Sequence, residues 1–394
     1  MFKNSFLLVI SLQLAACQQK ENPSLNGFEL LCELVASEAK PIGFSSPMLT
    51  SEIDNSWEDF EGISAKYGVM IFRETDFPVT RLFPSSVTQG KEVIVVSKPP
   101  RLVQYHQFKS DLATLEPNQA ARRLGRLLGY TASGTNELLM KNSDFRTLES
   151  FQVNKQITHL YYQDLEAANE FYESVLGLSL IDSNRYAMSD EAILQLHTFN
   201  EDHPKGQEKS TAIAFLTDQL SEWYEYMQKQ DVPIKYTYKP REAGPHDGFV
   251  AIDPGGYLLE FEQFKQHPEN ELFMAYLKSS PRVQTQIDSL NFYGSITWTY
   301  HNDLLMMQQF YEEVLGFQLV ADQGWTKIYR TSSAGFIGLV DERRGMMDYS
   351  REKAVEIEWQ LSNSEAIQYF STSEYWNSPN QALIGPENYS YLLR

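Results

Sequence analysis

The stretch from Ile157 to Leu180 recurs from Ile296 to Leu319 at a constant offset of 139 residues. In the first copy Ile157-Thr158-His159-Leu160-Tyr161-Tyr162 leads through Asp164-Leu165 to Phe171-Tyr172 and Val175-Leu176-Gly177. In the second, Ile296-Thr297-Trp298-Thr299-Tyr300-His301 leads through Asp303-Leu304 to Phe310-Tyr311 and Val314-Leu315-Gly316. A period this long marks a duplicated domain rather than a short solenoid unit. The copies differ where it matters most: position 159 is His and its counterpart 298 is Trp, so one copy can keep a chemistry that the other has lost.

A chain of 394 residues has room for two or three domains, and the duplication leaves a separate region in front of it. That region, residues 28–150, reads as a small α+β domain of unknown role. Helical periodicity covers 27–39 and 118–130, and strand patterns cover 68–73 and 92–96, stopped by Pro78 and by Pro99-Pro100. Its His106 has no ligand or triad spacing around it and reads as a surface or satisfied histidine. The formal net charge of −19 argues against nucleic acid and against charge-driven membrane binding. Arg122, Arg123 and Arg126 are too few to reverse this and read as one solvated helix face.

Residues 1–17 carry Lys3, an apolar run from Phe6 to Leu14 and the small pair Ala15-Ala16 before Cys17, the layout of a secretory signal too short to span a bilayer. Leu14-Ala15-Ala16-Cys17 resembles the lipobox of bacterial lipoproteins, which implies cleavage before Cys17 and its acylation. Residues 18–27 then read as a polar, flexible tether. Residue 18 is Gln rather than the Asp that holds some lipoproteins at the inner membrane, so the resemblance implies a lipid-anchored protein of the cell envelope, at the outer membrane. With Cys17 acylated, Cys32 has no intrachain partner; its apolar surroundings suggest a buried, inert thiol.

Within 156–265 the pattern runs strand, helix and strands, twice over. Ile157, His159 and Tyr161 share one face of the opening strand, and Leu165, Ala168, Tyr172, Val175 and Leu176 form a helical stripe stopped at Gly177. The Asp164-Leu165 helix start, Phe171-Tyr172 with Val175-Leu176-Gly177, the loop from Arg241 to Pro245 and Asp253-Pro254-Gly255-Gly256-Tyr257 running to Glu260-Phe261 together resemble the vicinal oxygen chelate superfamily of glyoxalase I, extradiol dioxygenases and bleomycin-resistance proteins. The resemblance implies an α+β fold: tandem domains, 156–265 and 290–394, of paired βαβββ units with curved mixed sheets. In the second domain Gly385-Pro386-Glu387-Asn388-Tyr389 stands in place of the Asp-Pro-Gly-Gly-Tyr turn.

The same resemblance implies a divalent metal in a cup of curved sheet, held from the first and last strands of two half-units. Carried over, the ligand positions fall on His159 and Glu260, with Gln195 on the last strand of the first half and His197 beside it on the same face. The fourth position is Ala212, which coordinates nothing. Imidazole, carboxylate and an amide or second imidazole would leave open positions on Mn, Fe, Ni or Zn. Against a metal stands the reading in which His159 and Glu260 hydrogen-bond each other in a degenerate cup. Some members of the superfamily exchange half-units. Glu356, which aligns with Ala212, would then join His159 and Gln195, but pairing of a domain's own halves is the simpler expectation. Trp298, Tyr300 and Trp325 read as core, with an apolar ligand pocket as the alternative. His246 is a candidate acid or base at the cup mouth, whereas His203, His267 and His301 lack partners at useful spacing.

Three functions stay open at this point. One is a metal-dependent enzyme acting on a small oxygen-rich substrate, of lyase, isomerase or dioxygenase type; another is a metal-free protein that sequesters a small molecule. The third is a structural envelope lipoprotein.

Overall fold

The computed structural model describes residues 23–287 and 289–394, so Cys17, the signal-like segment 1–17 and residues 18–22 lie outside the described residues. The chain divides into two compact units, Met1–Asn142 and Ser143–Arg394. No helix among the described residues is long and apolar enough to cross a membrane.

The first unit opens with helix α1 (Pro23–Ala36), which begins inside the segment expected to be a tether. Proline tolerates a helix's first turn because its missing N–H would be unpaired there anyway, and Phe28, Cys32 and Val35 give the helix an apolar face to bury. That face meets α2 (Thr50–Tyr67) through Phe60, whose ring lies 4.6 Å from Phe28. Burial and the charge of Glu29 push the Cys32 thiol up to about 11, so it is not ionised at neutral pH. Strands β1 (Ile42–Phe44), β2 (Met70–Glu74) and β3 (Val93–Ser97) form an antiparallel sheet in the order β1-β3-β2. Pro99-Pro100 not only ends the preceding strand but opens α3 (Pro99–Asp111), followed by α4 (Pro117–Leu127) and α5 (Ala132–Leu139). The solvated arginine face needs correcting: Arg122 is buried and donates to Asn136 at 2.7 Å.

The second unit holds both repeats. The first contributes β4 (Val153–Tyr162), α6 (Leu165–Glu170), β5 (Ser179–Asp182), β6 (Arg185–Ala187) and β7 (Ala192–Thr198). Its second half is β8 (Thr211–Leu216), α7 (Leu220–Lys229), β9 (Ile234–Tyr236), β10 (His246–Ile252) and β11 (Leu258–Phe264). Helix α8 (Glu271–Ser279) and the short pair β12 (Val283–Gln284) and β13 (Asn291–Phe292) lead into the second repeat. There β14 (Gly294–His301), α9 (Leu304–Gln309), β15 (Gln318–Asp322), β16 (Thr326–Arg330) and β17 (Gly335–Asp341) form the first half. The last half is β18 (Val355–Leu361), α10 (Glu365–Phe370), β19 (Trp376–Asn377), β20 (Ala382–Ile384) and β21 (Ser390–Leu393). Asp164 and Asp303 cap the equivalent helices α6 and α9, accepting from the backbone of Ala167 and Met306 at 3.0 and 2.9 Å.

These strands form two eight-stranded mixed sheets, and each takes one half from each repeat. One runs β19-β20-β21-β18-β4-β7-β6-β5, the other β15-β16-β17-β14-β8-β11-β10-β9. The joints are antiparallel: His159 lies opposite Glu356 where β4 meets β18, and Trp298 opposite Ala212 where β14 meets β8. The half-units are therefore exchanged, contrary to the simpler expectation that each domain pairs its own. A buried contact explains the symmetry: Thr158 and Thr297, counterparts at the repeat offset, meet hydroxyl to hydroxyl at 2.8 Å. A residue that touches its own counterpart sits on the two-fold relating the copies. Around that axis one core joins the inward faces of both sheets, including Leu160, Tyr162, Phe215, Phe261, Ile337 and Trp359.

The Asp-Pro-Gly-Gly-Tyr turn fastens this exchange. Asp253 accepts from the backbone of Gly255 and Tyr257 and from the hydroxyls of Tyr162 and Tyr172, at 2.7–2.9 Å. The Tyr257 hydroxyl in turn accepts from the Tyr161 amide at 3.0 Å and donates to the Ala354 carbonyl at 2.9 Å, tying a turn of one sheet to two strands' worth of backbone in the other. Tyr389 repeats the device, accepting from the Tyr300 amide at 2.8 Å and donating to the Ser210 carbonyl at 2.6 Å. Because Tyr257→Phe strands a buried amide and carbonyl, it is expected to cost about 1–3 kcal/mol in urea unfolding.

Candidate functional site

Strand alternation sends every second side chain of each sheet away from the shared core, into a cup. In the sheet centred on β4 and β18 those side chains are polar: His159, Tyr161, Gln195, His197, Glu356 and Glu358 stand on adjacent strands. In the sheet centred on β14 and β8 they are chiefly apolar: Ala212, Ala214, Leu258, Ile296, Trp298, Tyr300 and Val340. The exchange thus separates the expected ligand set. His159 and Gln195 face one cup and Glu260, on β11, faces the other, so the expectation that His159 and Glu260 share a cavity is corrected.

In the polar cup most of the side chains pair with one another, His159 Nε2 being buried without a hydrogen-bond partner among the described residues. His159 Nδ1 and His197 Nε2 share a hydrogen bond at 2.8 Å, and His159 Nε2 lies 3.3 Å from Glu358 Oε2. Tyr161 donates to Glu356 at 2.6 Å, and His203 stacks on the Tyr161 ring, with its Nε2 3.9 Å from the same carboxylate. Arg185 donates to the Gln195 carbonyl at 2.6 Å. Burial, reinforced by the charge of His159, holds the His197 imidazole down at about 4. Burial raises the Glu358 carboxyl, but the interaction with His159 and its charge, together with Gln360 and the charge of Arg185, outweigh this and the net shift is downward.

The metal implied by the resemblance fits this arrangement poorly. His159 Nδ1 is taken by His197, while its buried Nε2 lies 3.3 Å from Glu358 without completing a hydrogen bond among the described residues, so it is the one nitrogen of this ring left for an ion. The carbonyl that Gln195 would offer is held by a guanidinium. Among the described residues no group of three or more His, Cys, Asp or Glu is placed to hold an ion. His203, Tyr161 and Glu358 were missed as members of this cluster: His203 lies in a loop, and Glu358 enters only through the exchange. His301 also has partners, Glu387 and Thr299, each at 2.8 Å.

The apolar cup encloses a cavity of about 610 Å³. Trp298, Tyr300, Trp325, Phe264 and Met346 line it, together with Glu260, Glu262 and His246. The three aromatic residues first read as core thus wall a pocket. Helix α8 backs the cup through Phe273, whose ring lies 4.8 Å from both Phe264 and Phe336. His246 opens strand β10 rather than sitting on a loop, and burial pushes its imidazole down, with the charge of Arg241 adding to this.

Burial raises the Glu262 carboxyl to about 8, partly offset by Trp298. Burial also raises Glu260, helped by the charge of Glu262. Glu262 Oε2 and the Trp298 indole nitrogen are both buried and interact, but neither completes a hydrogen bond of normal geometry among the described residues. The cups therefore diverge by coupled substitutions: His159 pairs across the ladder with Gln195, and Trp298 with Gly338. Glycine is needed there, since a Cβ on residue 338 would stand 1.9 Å from the Trp298 ring. Gly338→Ala is expected to drive the ring into the cavity and lower stability by about 1–3 kcal/mol, read by denaturant unfolding and a shift in tryptophan emission.

The family model described as Glyoxalase/Bleomycin resistance protein/Dioxygenase superfamily matches residues 155–261. Similar solved structures include glyoxalase I from Zea mays, at 15% identity over 60% of this chain and 90% of that one with a TM-score of 0.40. Lactoylglutathione lyase from Agrobacterium tumefaciens matches at 21% identity over 28% of this chain and 96% of that one, TM-score 0.24. An integron cassette protein from V. cholerae matches at 26% identity over 28% and 92%, TM-score 0.23. A search of curated protein sequences finds no match. Residues 155–261 are accordingly similar to the Glyoxalase/Bleomycin resistance protein/Dioxygenase superfamily.

Proposed function

We propose that this chain binds a small molecule in the apolar cup. The observation that carries the reading is the 610 Å³ cavity walled by Trp298, Tyr300 and Trp325, with two carboxyls on its floor. Its size suits a drug-sized ligand, and an aromatic wall with a few convergent polar groups is the common make-up of such sites. A thermal-shift and fluorescence screen of small aromatic compounds tests it. Hits should survive His159→Ala in the polar cup and be lost in Val250→Trp, which fills the cavity; hits unaffected by Val250→Trp would overturn the assignment.

A second reading, a divalent ion such as Mn, Fe, Ni or Zn in the polar cup, is favoured by one observation: the exchange brings His159, Gln195 and Glu356 onto adjacent strands. It requires Arg185 to release Gln195. Elemental analysis of wild type and His159→Ala decides it, since a bound ion should be lost in the variant. The lipobox-like run ending at Cys17 supports a further part of the proposal, tethering of the binding module in the cell envelope, at the outer membrane. An acyl mass on Cys17 at the mature N-terminus is the expected result, and soluble protein without one would count against it.

A further inference from the structure

We propose that the ligand of the apolar cup carries an organic ammonium group, seated head-first on Glu260 and Glu262, an inference that rests on the small-molecule reading above. The two carboxyls are successive cup-facing residues of β11, and both line the cavity. Glu262 is 5% exposed, and its Oε2 completes no hydrogen bond of normal geometry among the described residues, the nearby Trp298 indole N–H included. A carboxylate so placed is stabilised by a counter-charge or by donors, and an ammonium supplies both at once.

The walls suit the same group. Trp298, Tyr300 and Trp325 present rings around the floor, and aromatic faces attract a desolvated cation through their quadrupoles. An anionic head would find two acidic groups on the floor rather than a cation. A neutral head would leave both carboxyls free to stay protonated, whereas an ammonium draws one into its ionised form by supplying the counter-charge.

The mouth restricts the choice further. Lys235, Lys239, Arg241 and Arg344 are exposed and line the opening, and Arg344 stands over the Trp325 ring at 5.1 Å. A second positive charge at the outer end of the ligand would be repelled there, whereas an acidic group would be held. The geometry points to an elongated molecule with an ammonium at one end, an apolar middle and an anionic group at the other.

Four probes test this by calorimetry and tryptophan fluorescence on the full chain: 4-(aminomethyl)benzoate, 4-(hydroxymethyl)benzoate, benzylammonium and spermidine. The aminomethyl compound should bind at least about ten-fold more tightly than its hydroxymethyl analogue. Glu260→Gln and Glu262→Gln, nearly isosteric, should each erase that preference without unfolding the protein, as circular dichroism would verify. Equal binding of the two benzoates would overturn the ammonium assignment while leaving the cavity as a binding site. Spermidine binding as tightly as 4-(aminomethyl)benzoate would overturn the role of the cationic mouth. No response to any probe up to about 10 mM, weaker than the millimolar range, would remove the small-molecule reading as well.

Discussion

Expressed without the second repeat, residues 143–270 are expected to give no folded monomer, despite containing the whole matched segment 155–261. In the intact chain β4 pairs with β18, and β8 with β14, so the fragment has two four-stranded halves and no joint between them. Removing residues 271–394 bares the β4 and β8 edges and strips the shared core of Phe292, Tyr311, Ile337, Trp359 and Tyr391. Each such side chain contributes about 1.5–3 kcal/mol on burial, so losing five removes on the order of 10 kcal/mol. That is comparable with the whole stability of an ordinary domain, about 5–15 kcal/mol. Two copies of the fragment can restore the joints by pairing β4 of one with β8 of the other, so the expected products are aggregate or dimer, seen by size-exclusion chromatography with multi-angle scattering. A monomer with a cooperative melt would show that each repeat closes on itself and that the exchange is wrong.

That exchange marks where the sequence stops being legible. The superfamily resemblance placed His159 and Glu260 at ligand positions and the repeat aligned Glu356 with Ala212, while period-two alternation put Gln195 and His197 on one face, because which face a side chain takes is a local property of a strand. Which half-unit a strand joins is not local: the exchanged and unexchanged folds use the same half-units and the same kind of joint. What distinguishes them is a set of contacts far apart in sequence, such as Thr158 with Thr297 and the Tyr257 hydroxyl with the Ala354 carbonyl. One clue lay in the alignment of Glu356 with Ala212: in an unexchanged fold a carboxylate-bearing position falls in the copy that has Trp298, and an alanine in the copy that has His159. Exchange collects the polar residues in one cup and the apolar ones in the other. Arg122 escaped for a different reason, since its partner Asn136 lies on the next helix of a region with no recognisable motif.

The stability of the protein is expected to fall as pH rises from about 5 to 8, and Glu262→Gln is expected to remove part of that fall. Glu262 sits 5% exposed on the cavity floor, and burial lifts its carboxyl from an ordinary 4.5 to about 8. A carboxyl raised by folding favours the protonated form in the native state. Its contribution is therefore complete below the unfolded value near 4.5 and is lost as pH climbs through the folded value near 8. At about 1.4 kcal/mol per unit, the loss across that window is on the order of 2–5 kcal/mol once entry of water into the cavity is allowed for. Glu260 beside it is shifted in the same direction, so some decline should persist in the single variant. The other groups at the cavity do not mimic this. His246 is shifted down, which weakens the fold on the acid side instead. Elsewhere in the unit, Lys209 and Lys353, each lowered to about 8 by burial, act above that pH and in the opposite sense. Subtracting the variant's melting curve from the wild type's at each pH removes all three. At pH 8 Glu262→Gln should melt higher by roughly 5–15 °C, scaling from about 2–4 °C per kcal/mol for a unit of this size. Melting temperatures that run parallel for the two proteins from pH 5 to 8 would mean that Glu262 is solvated in the native state, and the dry acidic floor on which the ammonium site depends would go with it.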